Sequence, residues 1–142
     1  MNELKLFTLH EANALLPRLT LLLNELKNLR EYILKQEVEI DAIELVSKPA
    51  GKEVPASLAR AIEGYNDHVK KFYARIDQVH GLGCFLKDPE HGLVDFYGRY
   101  RGEIVYLCWK LGETEITAWH EIGKGFIHRK PLAGGTDDEN TN

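Results

Sequence analysis

The sequence predicts an α+β fold: a long antiparallel two-helix hairpin packed on a small antiparallel β-sheet of three to four strands. Three observations predict it. In the first half, apolar residues recur in alternating steps of four and three, the mark of a helical seam. One seam runs Leu15, Leu19, Leu22, Leu26, Leu29, Ile33, and the other Leu58, Ile62, Tyr65, Val69, Phe72, Ile76, Val79. Between them, Ser47 to Ala56 holds two prolines and a glycine, which turns the chain back on itself. After Gly83 the helical period gives way to short apolar and aromatic runs separated by glycine, the pattern of strands and turns.

The first helix opens on Thr8 and Glu11, spaced as a capping box. Pro17 lacks a backbone donor and crowds the carbonyl of Asn13, so a kink or break is expected between Asn13 and Pro17. The helix then continues to about Val46. Ser57 is the expected cap of the second helix, and Gly81 and Gly83 end it. A helix of about 30 residues is about 45 Å long, longer than a small sheet can cover. The remote end of the hairpin must bury its seam within the pair or against a partner. Leu26 and Phe72, both mid-seam, are expected to be buried.

In the second half, Phe85 and Leu86 read as a short strand, followed by a turn through Asp88, Pro89 and Gly92. Leu93 to Tyr97 is a strand with Val94 and Phe96 on one face and Leu93, Asp95 and Tyr97 on the other. Gly98 to Gly102 is a turn region, Glu103 to Leu111 the strongest strand, Glu115 to Ile122 another, and Phe126 to Leu132 closes the domain. The run Ile104 to Trp109 does not alternate. Antiparallel sheets usually keep one polar face, so each face of this strand needs a cover. The hairpin supplies one, and a second subunit or a ligand is expected on the other. A single domain therefore spans 1–132, with the hairpin over 8–80 and the sheet region over 84–132. The stretch 133–142 is small, polar and acidic and reads as a disordered tail.

Composition narrows the function classes. The 142 residues are 44% apolar and 28% charged, with a formal net charge of −4. Acidic and basic residues are interspersed, which argues against a nucleic-acid partner. The start lacks the features of a signal peptide, and no run approaches the ~20 apolar residues of a membrane span. The two cysteines, Cys84 and Cys108, then read as free thiols in a reducing cytoplasm.

Several motifs occur in order: Phe7-Thr8-Leu9-His10-Glu11-Ala12-Asn13-Ala14-Leu15-Leu16-Pro17-Arg18-Leu19, Gly92-Leu93-Val94-Asp95-Phe96, Leu107-Cys108-Trp109-Lys110-Leu111-Gly112-Glu113, Trp119-His120-Glu121, and Gly125-Phe126-Ile127-His128-Arg129-Lys130-Pro131-Leu132. Together they resemble a family of small bacterial proteins known as a domain of unknown function. The resemblance implies a bacterial cytoplasmic origin and a single-domain unit, and it brings no activity, cofactor or catalytic residue.

Three sets of residues carry candidate chemistry. His91, His120 and His128 are the candidate metal ligands, with Asp95 able to join; imidazoles with a carboxylate suit zinc or another divalent ion. The zincin motif is absent, because His120 lies in a strand and points away from Glu121. The structural account of the same residues, a backbone-bonded His120 with His91 and His128 in solvated loops, is preferred. Cys108, His120 and Asp95 contain the residue types of a thiol triad, but a mid-strand cysteine is more often core filler. Asp95, His120, Glu121 and Arg129 form the candidate ligand site: Asp95 is a charge inside an apolar strand, with Arg129, Arg99 or a backbone amide as its candidate partner. The sequence thus favours an interaction or assembly protein that self-associates, dimer first, acting through surfaces and not through chemistry. The alternative is a small metal- or ligand-binding protein, or minor enzyme, centred on Asp95, His120, Glu121 and Arg129.

Overall fold

Thr8 and Glu11 begin the fold. The Glu11 amide donates to the Thr8 hydroxyl at 3.0 Å, and the Thr8 amide donates to the Glu11 carboxylate at 2.9 Å. In this computed structural model, which describes residues 5–47 and 51–133, that box caps α1 (Leu9–Ala14). The helix breaks at Leu15, and α2 (Leu16–Val46) follows at once. Pro17 falls in the first turn of α2, where its missing N–H costs nothing. The next helix, α3, covers Ala56–Gly81; it starts one residue before Ser57, which lies in its first turn and not at its cap. Part of the interhelical loop, 48–50, lies outside the described residues. So does the expected tail beyond Ala133.

The chain forms two compact units, Asn24–Asp77 and Met1–Leu23 with Gln78–Asn142. The first is a helical arm. Its two helices run antiparallel, since partners on α3 fall in number as those on α2 rise. Arg75 pairs with Glu25, His68 stacks on Tyr32 at 5.4 Å and meets Gln36 at 3.0 Å, and the Tyr65 hydroxyl donates to Glu37 at 3.1 Å. Leu26 is buried, while Leu29, Ile33 and Phe72 are only half-buried. In an isolated pair each helix has one neighbour, so even seam residues keep an open flank. The expected burial of Phe72 is corrected on this ground.

The second unit carries five strands, more than the three or four expected: β1 (Phe85–Asp88), β2 (Leu93–Tyr100), β3 (Glu103–Lys110), β4 (Ala118–His120) and β5 (Lys130–Pro131). They lie in chain order, each antiparallel to the next. The additional strand is β5, two residues of the closing segment laid against β4. The β2–β3 turn is Arg101 and Gly102 alone, at φ of 52° and 81°, as a two-residue hairpin turn requires. Gly98, expected in that turn, lies instead within β2 opposite Val105. A Cβ there would stand 2.7 Å from Leu107 Cδ1, so a glycine is demanded by packing. The fourth strand is much shorter than Glu115 to Ile122, because Ile116 donates to the α1 side chain Asn13 at 2.8 Å and leaves the ladder.

One sheet face, with Val94, Phe96, Leu107 and Trp109, is buried along with Phe7, Ala12, Leu16, Leu19 and Val79. Phe7 meets Phe96 edge-on at 5.2 Å. The other face carries Asp95, Tyr97, Tyr106, Cys108 and His120. No helix of the described residues is long and apolar enough to cross a membrane.

Candidate functional site

Register builds the second face. Asp95 pairs with Cys108, Cys108 with Ala118, and Tyr106 with both Tyr97 and His120. Paired residues share a face, and the small Ala118 leaves His120 room to reach diagonally across β3. Its Nε2 lies 3.0 Å from Asp95 Oδ2, and its Nδ1 lies 3.1 Å from the Glu121 carbonyl. Both ring nitrogens thus face oxygens. The Glu121 carbonyl only accepts, so Nδ1 donates to it. Asp95 and His120 are buried, and among the described residues no buried side-chain nitrogen or oxygen lacks a partner.

Cys108 Sγ completes the group. Ligand atoms of Asp95, Cys108 and His120 all lie within 4.8 Å of one another, the one such trio of His, Cys, Asp or Glu found among the described residues. Burial pushes the Cys108 thiol up to about 12, the Asp95 carboxylate adds to the rise, and Arg129 opposes it. That is the reverse of an activated nucleophile, which needs a thiolate. The bonding order also differs from a thiol triad: the carboxylate, not the imidazole, stands between its two partners.

Around the trio, Lys87 Nζ lies 4.0 Å from Asp95 and 4.2 Å over the Tyr106 ring. Arg129 grips Glu113 with both terminal nitrogens, at 3.2 and 3.0 Å, and lies 4.2 Å over Phe126. Glu113 holds the Arg129 guanidinium charged, pushing its pKa further up. A cavity of about 100 Å³ adjoins the trio, lined by Lys87, Leu93, Lys124, Gly125 and Phe126 as well. Gly125 and Phe126, from the glycine-loosened stretch after β4, thus line a cavity on the face where a second subunit or a ligand was expected.

The candidate residues separate accordingly. Asp95 and His120 meet directly, and Arg129 reaches the edge through Cys108. The partner of Asp95 is His120, with Lys87 beside it. Glu121 contributes its carbonyl to His120 while its exposed carboxylate pairs with Lys130 at 3.4 Å. His91 is exposed, bound to Asp88 at 2.7 Å, and His128 is exposed in the 3₁₀ turn Phe126–His128. Neither joins His120, because each belongs to a solvated turn. Lys87 is the member that the sequence reading passed over; Cys108 was grouped there with His120 and Asp95 by residue type and set aside as core filler. Reading Arg101–Gly102 as a two-residue turn gives the signal for Cys108, since that register pairs it with Asp95.

A second feature lies on the arm. Leu34, Val38 and Leu45 fall on one face of α2 at steps of four and seven, away from the seam, and are 44%, 69% and 87% exposed.

The profile of a family described as an uncharacterized conserved protein (DUF2203) matches residues 5–132. No curated protein and no solved structure matches the chain.

Proposed function

The chain belongs to that DUF2203 family, and we propose that it is an assembly protein that self-associates through its helical arm, in the cytoplasm of a bacterium. The observation that carries this reading is the outer stripe Leu34, Val38 and Leu45, exposed on a helix whose seam already has a partner. Exposed apolar residues aligned on one face mark an interaction surface more than scattered ones do. Charge argues for a second copy as the occupant. Asn24 to Lys35 carries Lys27, Arg30 and Lys35 against Glu25 and Glu31, whereas Gln36 to Val46 carries Glu37, Glu39, Asp41 and Glu44 and no cation. Two α2 helices laid antiparallel about a two-fold axis match the basic end of each with the acidic end of the other. The free thiols Cys84 and Cys108 agree with a reducing compartment.

Light scattering coupled to gel filtration at micromolar concentration tests the proposal. The expected particle has twice the 16.2 kDa chain mass, and Val38→Glu with Leu45→Glu returns it to the monomer. A monomeric wild-type chain overturns the reading.

A further inference from the structure

We propose that Asp95, Cys108 and His120 form a mononuclear site for a divalent transition ion of the zinc class, with its fourth position open to the adjoining cavity. The site lies outside the arm, and the inference stands independently of self-association.

Donor chemistry comes first. The trio offers one imidazole nitrogen, one sulfur and one carboxylate oxygen, a set that zinc accepts. Ligands bound at roughly 2.0–2.3 Å around a tetrahedral ion stand roughly 3.3–3.8 Å apart. The 3.0 Å between His120 and Asp95 and the 4.8 Å outer limit of the trio bracket that spacing. Small rotations of side chains already on one sheet face would seat an ion.

Orientation is the second support. His120 turns Nδ1 to the Glu121 carbonyl and so commits Nε2 to the trio. A backbone carbonyl on the far nitrogen is the usual way a protein fixes the tautomer and aim of a metal-binding histidine.

Ligation chemistry is the third. Cys108 binds a metal ion as thiolate, releasing its proton to solvent, and His120 binds through the Nε2 lone pair.

The fourth position follows from the cavity. No fourth His, Cys, Asp or Glu joins the trio among the described residues, and three protein ligands with an open place is the arrangement that zinc takes when it binds water or a small molecule. Lys87 and Lys124 line that cavity, so hydroxide or a small anion is the class of fourth ligand it favours.

The test uses the full chain stripped with a chelator and titrated with Co²⁺ or Zn²⁺ alone. The expected result is stoichiometric binding and a thiolate-to-cobalt charge-transfer band. Cys108→Ser, close in shape, should remove the band and weaken zinc binding by more than the roughly 10–100-fold that loss of an outer partner costs. His91→Ala and His128→Ala should leave both unchanged. A wild-type chain without the charge-transfer band overturns the proposal without recourse to any variant. So does zinc binding that survives Cys108→Ser or that follows His91 or His128.

Discussion

His120 and Asp95 meet at 3.0 Å across the width of β3, each almost wholly removed from water. A charged or strongly polar pair in such a place depends on both members. Asp95→Asn leaves the imidazole facing an amide, and breaking a buried pair typically costs about 3–5 kcal/mol. Urea unfolding of the metal-free chain measures it. A loss of under about 1 kcal/mol, the level of an exposed pair, would show that the two residues contribute little to the folded state.

Both thiols are buried and shifted upward, so neither should react in the native protein. Ellman's reagent at pH 8 is expected to modify neither Cys84 nor Cys108 until denaturant is added, and then both. Prompt reaction of either thiol in the folded chain would place it at the surface, against its burial.

Alkaline stability should follow from the same thiols. Cys84 donates to the Val79 carbonyl at 3.4 Å, and burial pushes it up to about 11 from an ordinary 9.0. The folded chain therefore keeps a proton that the unfolded chain releases. The stabilisation is complete below pH 9.0 and fades as the pH climbs from there towards about 11. Cys84→Ala should flatten this part of the stability profile, leaving the slope from Cys108, which has the same sign. An unchanged profile in Cys84→Ala would contradict the assignment.

Gly98→Ala adds a methyl group 2.7 Å from Leu107 Cδ1 and 3.2 Å from the Phe7 carbonyl. Over-packing of this kind typically costs about 1–3 kcal/mol. Gly102→Ala, where no atom lies near, meets only the penalty of its positive φ. Thermal melts of the two variants should show Gly98→Ala responding to a second change, Leu107→Ala, and Gly102→Ala adding to it independently.

Within the arm, Leu26→Ala should cost about 2–5 kcal/mol as a buried leucine. Phe72→Ala should cost less than a fully buried phenylalanine would, because its flank is open. If both leave the melting curve unmoved, the seam itself is misassigned.

Periodicity carried most of the architecture. Steps of four and three located both helices to within a residue or two, and the Thr8–Glu11 spacing located the first cap. Pro17 correctly marked the break. Strand limits were harder to read, because two of them depend on distant residues. Leu107 decides that Gly98 belongs to β2, and Asn13 draws Ile116 out of β4; neither influence is local. The candidate site was half legible. Asp95 stood out as a charge between Val94 and Phe96, but its expected partner was Arg129, Arg99 or a backbone amide and not His120, which reaches it from two strands away. Cys108 was grouped with Asp95 and His120 by residue type but set aside as core filler, because only register places it opposite the carboxylate. His91 and His128 were attractive as ligands by type alone, and the preferred reading that placed them in solvated loops agrees with their exposure.

The strict chain order of β1 to β5 has a kinetic consequence. Each strand pairs with its neighbour through a nearby turn, and short closures form quickly. The Arg101–Gly102 hairpin can zip outward from its turn on its own residues. One pairing breaks this locality: Phe7 bridges Gly98 in parallel, its amide donating to the Tyr97 carbonyl at 2.8 Å. That bridge must wait for β2, which lies beyond the whole length of the arm. Pulse-labelled hydrogen exchange is expected to protect β2 and β3 amides before that of Phe7. On the ribosome, Phe7 and α1 would be made before the strands they dock on, leaving Phe7 and the apolar side of α1 uncovered until the sheet arrives.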